Sequence, residues 1–389
     1  MQPETSTLSP KLILLMAIAT GVAVANNYYV QPLLDTIAQA LNVSHSMAGS
    51  IVTAAQLSYG LGLFFLVPLA DLVERRYMIV LLMLLATVGL FVNALAPTVG
   101  WLIVGTAVTG ACSVVAQVLV PLAATLSAPE QRGKAVGTVM GGLLLGILLA
   151  RVVAGTISSL LSWQAVYWVA AVAILICTLA LWRSLPKYQP QVSLTYQQLL
   201  SSVISLFKTE PVLAQRSFLG ALSFAMFTLF WTPLAFLLAN PPYEYSDAVI
   251  GLFGIAGVAG VAAAKWAGKL ADIGKGSIGS WVGWIAGLIS WGLLLLADHS
   301  LLSLIIGIVL LDLAVQMAHV SNQNVVYALQ PEARNRLNAG YMTSYFAGGA
   351  LGSYISVILY QWQGWLAVCS GGIVLSLVGI SFLGMTQRN

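Results

Sequence analysis

Twelve long apolar runs follow one another through this 389-residue chain: 12–34, 46–69, 77–96, 99–127, 134–160, 164–185, 216–239, 248–271, 278–297, 300–328, 336–360 and 364–385. A helix needs about 20 mostly apolar residues to cross a bilayer. Lipid offers no partners to backbone N–H and C=O groups, so a segment of this kind spans it as a helix that satisfies its own. The predicted fold class is therefore an all-α membrane protein with twelve transmembrane helices. Composition closes off the alternatives. Charged residues make up 7% of the chain and hydrophobic residues 59%, whereas a soluble domain carries about 25% charge. Disorder needs a polarity that the chain lacks. A net charge of +4 is too small and too dispersed for nucleic acid. Cys112, Cys177 and Cys369 lie in apolar runs without a second Cys or His at ligand spacing. They read as buried small hydrophobes, and no metal or other cofactor is expected.

Most connections are a few residues long, which makes successive helices antiparallel neighbours. The exception is 186–215, flanked by Pro186, Pro190 and Pro211. Within Ser193–Lys208, Leu199, Val203, Ile204, Leu206 and Phe207 share one side of a helix, which predicts an interfacial helix. This segment divides the chain into 1–185, a linker 186–215, and 216–389. The first run contains an A-x-A sequence, Ala23-Val24-Ala25, but it is too long and its polar start too weakly basic for a signal peptide. Lys and Arg set orientation. With the N-terminus inside, fourteen of the sixteen fall on the inner side: Lys11, Arg75, Arg76, Arg132, Lys134, Arg183, Lys187, Lys208, Arg216, Lys269, Lys275, Arg334, Arg336 and Arg388. The outer connections carry Asp35, Glu244, Asp247 and Asp298 instead. Both termini are expected on the inner, cytoplasmic side.

The chain also repeats itself. Leu69-Ala70-Asp71 recurs as Leu270-Ala271-Asp272, and Pro32-Leu33 as Pro233-Leu234, both at a spacing of 201. Pro129-Glu130-x-Arg132 recurs as Pro331-Glu332-x-Arg334, and Trp163 as Trp365, both at 202. Four matches at nearly one register predict two six-helix units in tandem. Six is even, so both units have the same orientation, the parallel repeat of a rocking transporter with its substrate site between them.

On these residues the chain resembles the major facilitator superfamily. Its loop after the second span is similar to the signature G-x-L-A-D-R-x-G-R-[RK], keeping Leu69, Ala70, Asp71, Arg75 and Arg76 and departing at Val67, Leu72 and Glu74. The second copy keeps Gly268, Leu270, Ala271 and Asp272. The fifth span resembles the antiporter signature at Gly137, Gly146 and Gly155, with Ala150, Arg151 and Ala154 replacing Gly, Pro and Gly. Of the fourth-span motif R-x-x-x-G, Gly110 is kept and Thr106 stands for the Arg. The run Asn27-Tyr-Tyr-Val-Gln-Pro-Leu-Leu34 is similar to the first span of bacterial drug and sugar efflux members. The resemblance implies export of small molecules across a bacterial inner membrane, with protons as the coupling partner.

Charge inside a span is expensive, about 2.5–3.5 kcal/mol on insertion scales, so each instance needs a reason. Arg151 lies roughly 14 Å and Asp312 roughly 18 Å from the outer ends of spans five and ten, at 1.5 Å per residue. Their similar depths allow either a fixed structural pair or a pair sensitive to protons or substrate. Low dielectric and a facing guanidinium act on a carboxyl in opposite directions, so separating the two can move a proton. In span ten, Asp312, Gln316, His319 and Gln323 are spaced 4, 3 and 4 and share a helical face, which must turn to protein or water. His319 is the second proton-transfer candidate. Span one offers Asn26, Asn27, Tyr28, Tyr29 and Gln31 ahead of Pro32, with Trp231 near the matching proline of span seven. These suit a partly apolar, hydrogen-bonding solute, or serve as helix–helix contacts. Gln117 lies 202 residues before His319 and is its counterpart in the other unit. Asp35, Asp298 and Glu244 read as solvated loop charge. Lys265 reads as snorkelling to the inner interface.

Glycines at three- and four-residue spacing mark spans five, eight and eleven as close-packing. Inner loops place acid beside base: Asp71 with Arg75 or Arg76, Glu130 with Arg132, Glu332 with Arg334. Asp71 is expected to latch the inner gate against span eleven, with Asp272 at the matching position; helix capping is the alternative. The function expected is a monomeric, proton-coupled exporter of small organic molecules. An importer or facilitator of a sugar or metabolite is the second reading. A membrane-embedded enzyme or sensor is disfavoured, since no reactive constellation, phosphate loop or soluble appendage is present.

Overall fold

The computed structural model describes residues 9–190, 194–330 and 333–386, without the side chains of Ala271 and Asp272. All its regular structure is helical. Ten helices are long and apolar enough to cross a membrane, and Pro10–Ala25 is a shorter apolar one. The longest, Arg334–Thr386, is broken at Gln363 and Gly364. Gly364 has φ 61°, which an L side chain resists and glycine accepts. That break separates spans eleven and twelve, and the described helices correspond to twelve spans in order.

Two spans break where the sequence has its matching prolines. Span one is Pro10–Ala25, then a turn, a 3-10 segment Gln31–Leu33 and a short helix Leu34–Ala40. Span seven runs Pro211–Trp231 and resumes at Leu234–Ala239 past Pro233. Proline has no N–H to continue the ladder. The backbone that it frees is buried in protein, the condition for irregular chain at membrane depth.

Glycines repeat their roles along with the prolines. In span five (Arg132–Leu160), Gly146 packs directly on the Gly21 backbone of span one. In span eleven, Gly348 packs on the Ala221 backbone of span seven. Positions 202 residues apart thus make equivalent contacts. Gly142 joins Gly146 against span one, on Ala17. Part of the glycine stripe of span five therefore faces span one, and only its later part turns to span eight. The arginines also repeat: Arg132 Nε donates to the Ala124 carbonyl closing span four, and Arg334 Nε to the Tyr327 carbonyl near the close of span ten. Each cation sits on the last carbonyls of a helix, where its charge is favoured. Arg132 therefore serves as a cap; Glu332 lies outside the described residues.

The end of the bundle that holds the Lys- and Arg-bearing connections is called the basic end below. The end that holds Asp35, Glu244, Asp247 and Asp298 is the acidic end. The linker helix Tyr196–Thr209 lies at the basic end and opens with a capping box of Thr195 and Gln198. It buries Leu199, Val203 and Leu206, and Val203 and Phe207 reach Gly340 of span eleven. Tyr196 donates to the Phe65 carbonyl of span two. The apolar face of this helix thus packs on the bundle, where an interfacial helix would offer it to lipid; Ile204 remains exposed.

Candidate functional site

The first six and the last six spans meet closely at the acidic end and part toward the basic end. Span five packs along the opening of span eight, Asp247–Leu252 and Phe253–Gly257, and leaves its continuation Val258–Asp272. A Cβ on Gly155 would strike the Asp247 carbonyl, and one on Gly251 the Arg151 carbonyl. Further along the same face, Gly137 and Gly141 have no neighbour at their Cβ positions. Spans two and eleven behave alike. Thr53 bonds Ser353 at 3.1 Å, Gly60 lies against Phe346, and the Tyr59 and Phe346 rings are 4.3 Å apart. Beyond that ring pair a cleft opens, lined by Leu63, Asp71 and Gln117 on one side and by Arg336, Asn338 and Ala339 on the other.

Arg151 sits above this cleft at the centre, 2% exposed. Its Nε donates to Gln31 Oε1 at 2.6 Å. Its guanidinium carbon lies 5.0 Å from the Tyr28 ring centre, 5.6 Å from Phe227 and 4.0 Å from Trp231. Such faces attract a cation through their quadrupole, by about 2 kcal/mol when desolvated. Trp231 Nε1 in turn donates to Asp312 Oδ1 at 3.2 Å. The guanidinium and the carboxylate are therefore brought to one depth, as their positions in spans five and ten suggested. They form no direct ion pair within 4.0 Å among the described residues. The indole lies between them, one face to the cation and its N–H to the anion.

The other predicted residues fall into three places. Asn26 and Asn27 are buried beside this centre in the broken part of span one, Asn26 donating to Ser113 at 3.1 Å; Tyr29 is buried there too. Gln117 donates to Tyr59 at 3.4 Å on the cleft wall. The span-ten stripe spreads over its neighbours: Gln316 lies against Gly260 of span eight, while His319 Nδ1 is 3.0 Å from the Tyr341 hydroxyl of span eleven. The His319 ring is also 4.5 Å from Tyr345. Gln323 and Tyr327 both donate to Asn338, at 3.4 and 2.9 Å. His319 is thus tied to span eleven, two helical turns from Asp312, and no hydrogen bond joins the two among the described residues.

At the basic end Asp71 pairs with Arg75 at 3.2 Å, within its own loop. Arg75 Nε also holds the Ala70 carbonyl. Arg76 instead lies over the Trp182 ring at 4.8 Å. Asp71 and the start of span eleven face each other across the cleft without a bond. The Asp272 side chain lies outside the described residues.

The acidic end departs from the expectation of solvated loop charge. Asp35 is buried. It accepts Gln39 Nε2 at 2.6 Å, Asn240 Nδ2 at 3.3 Å and His45 Nε2 at 3.0 Å. Asp247 is buried as well, accepting Thr36 at 2.7 Å and Ser158 at 2.6 Å. Both carboxylates tie the first six spans to the last six. Glu244 is exposed as expected. Asp298 is half-buried, which raises its carboxyl above the ordinary range while His299 opposes the rise. The missed residues are those whose partners stand on another element: Thr36, His45, Ser158 and Asn240 here, and Phe227, Tyr341 and Tyr345 at the centre. No motif or periodicity joins one element to another, and only the polar break in span one gave a local signal.

Comparison with known proteins identifies the family and supports the fold. Residues 16–297 match the family described as Major Facilitator Superfamily. The transporter YgaY of Escherichia coli (strain K12) is 55% identical, over 96% of this chain and 95% of its own length. A Streptomyces coelicolor transporter is 33% identical over 92% of this chain and 83% of its own. Among solved structures, a bacterial homologue of the human lysosomal transporter Spinster, inward-facing and occupied, superposes with a TM-score of 0.79 at 13% identity, covering 97% and 96% of the two chains. A point mutant of the nucleoside transporter NupG gives 0.78 at 15% identity, covering 96% and 99%.

Proposed function

We propose, from the premise that this chain belongs to the major facilitator superfamily of transporters, that it exports small organic molecules across a bacterial inner membrane in exchange for protons. Residues 1–185 and 216–389 act as two rocking units joined by the 186–215 linker, both termini lie in the cytoplasm, and the basic end is the cytoplasmic one. The protein works as a monomer. Its substrate enters the cleft between the units.

The observation that carries the coupling is the indole between Arg151 and Asp312. A carboxylate locked to a guanidinium would hold its charge through the cycle. Asp312 has the Trp231 N–H instead, on a helix that breaks two residues further on at Pro233. Movement of span seven relative to span ten changes what faces the carboxyl and so its proton affinity. Gln117, Gln316 and Gln323 line the way to the basic end, and Asn26, Asn27, Tyr29, Gln31 and Trp231 form the site. His319 passes or senses the proton from span eleven. Asp71, Arg75 and Arg76 serve the cytoplasmic gate: when the cleft closes, Asp71 meets the start of span eleven, with Asp272 in the matching role.

Everted membrane vesicles test this. Solute accumulation is expected to require an imposed pH gradient in the wild type and to be lost in Asp312→Asn, while exchange down the solute's own gradient persists. Gradient-dependent accumulation that survives in Asp312→Asn removes Asp312 from the coupling. Transport that ignores the pH gradient in the wild type favours the facilitator reading.

A further inference from the structure

The charged centre has an unused side. Arg151 Nε is taken by Gln31, but Arg151 Nη2 has no hydrogen-bond partner, and neither has Gln31 Nε2 beside it. Both atoms are buried. An unsatisfied buried donor costs about 1–3 kcal/mol, more when charged. The rings of Tyr28, Phe227 and Trp231 steady the cation but accept no strong hydrogen bond from it. The nearby carboxylate of Asp312 stands across the indole and takes the indole N–H. A guanidinium and an amide, coupled at 2.6 Å, therefore point two spare donors into aromatic surroundings.

We infer that Arg151 and Gln31 are the recognition pole for a monovalent carboxylate, and that the exported solute is an organic acid with a flat apolar body. This rests on the exporter reading above and names its substrate class. The carboxylate takes Arg151 Nη2 and Gln31 Nε2, and the flat body lies among Tyr28, Phe227 and Trp231. Charge-assisted hydrogen bonds to a carboxylate are about twice as strong as neutral ones, so the acid displaces a ring from the guanidinium at a net gain. A cationic solute is disfavoured, because the aromatic cage already holds a cation. A dianion is disfavoured, because Arg151 is the one guanidinium in contact with these rings among the described residues.

The test uses purified full-length protein and three probes of one skeleton: naphthoate, naphthamide and naphthylmethylamine. Equilibrium binding and thermal shift are read without any gradient; a ligand of the folded state raises Tm by mass action. Naphthoate is expected to bind on the order of 10- to 100-fold more tightly than the amide, the value of a hydrogen bond to a charged group, and more tightly still than the amine. Arg151→Gln abolishes the preference for the acid. Gln31→Glu has nearly the same shape as the wild type and supplies the guanidinium with a built-in carboxylate. It is expected to fold and to lose naphthoate binding, which keeps the test sharp where Arg151→Gln fails to fold. Equal or better binding of the amide or amine overturns the assignment, as does naphthoate binding that survives in Gln31→Glu. The exporter reading fails separately: naphthoate bound through Arg151 but never moved in everted vesicles sinks transport and leaves recognition standing.

Discussion

The two ends of this bundle are built from the same kinds of residue, and they do opposite things. At the acidic end, buried Asp35 and Asp247 accept hydrogen bonds across the boundary between the first and last six spans. Gly155 and Gly251 let spans five and eight touch backbone to backbone there. At the basic end, Asp71 is satisfied by Arg75 of its own loop, and Gly137 and Gly141 face open space. An aspartate and a glycine face thus make a clamp at one end and idle at the other. What decides is whether the partner lies across the boundary or within the same loop. On the alternating-access reading proposed above the idle set becomes the clamp of the other state, so each end can be perturbed with the other as its control.

The largest expected effect comes from the glycine faces. Gly155→Ala drives a methyl into the Asp247 carbonyl, a backbone atom that cannot swing away. Overpacking of this kind costs about 1–3 kcal/mol, enough to shift a two-state population roughly 5- to 150-fold. Spin labels at Leu161→Cys and Glu244→Cys, both exposed positions at the acidic end, should report a longer distance in Gly155→Ala. Gly137→Ala should leave that distance unchanged, because its methyl meets nothing. If both variants give the wild-type distance, close approach of spans five and eight is not what holds the acidic end shut.

The contrast also marks how far sequence reasoning reaches. Twelve spans, the proline breaks and the repeat are legible because each is local or periodic: 20 apolar residues, a missing N–H, a match at about 201. Arg151 and Asp312 stand out because charge is rare in the spans. Depth counted along each helix brings them to one level, which is the level of Trp231. The indole between them is beyond reach, since a helical count fixes height and not which neighbour fills the gap. Asp35 and Asp247 escape for a related reason. Their place at helix ends suggests water, and only the docking of spans one, two and five on spans seven and eight buries them. The linker helix is legible as amphipathic, but amphipathicity does not say whether lipid or protein takes the apolar face.

A middle-sized effect separates the two aspartates. Asp247→Ala removes the acceptor of Thr36 and Ser158 together. Losing a charged acceptor from two buried hydroxyls costs about 1–3 kcal/mol. Amide hydrogen exchange in 36–40 and 247–252 should accelerate by about tenfold or more. Asp71→Asn breaks only a pair within one loop, and exchange at the acidic end should stay at the wild-type rate. Its effect belongs to the other state: transport falls because the basic end closes less often. An Asp71→Asn variant with normal transport would make Asp71 a loop brace and no latch.

The smallest effect is at His45, and it tests whether the acidic-end clamp depends on charge or on packing. His45 lies 3.0 Å from Asp35, but its side chain is 40% exposed, while its ring stacks on Phe236 at 4.2 Å. Even a charged pair with a half-exposed partner contributes only about 0–1 kcal/mol, and Asp35 keeps Gln39 and Asn240 as donors when the imidazole goes. His45→Phe preserves the stack and removes the pair, so the label distance and exchange at the acidic end should change by less than about fivefold. His45→Ala removes both and should open that end further than His45→Phe does. The order of the two variants is the informative quantity. If His45→Phe opens the acidic end as far as Asp247→Ala, the clamp is held by the Asp35–His45 contact, and the buried hydroxyl bonds of Asp247 are secondary to it.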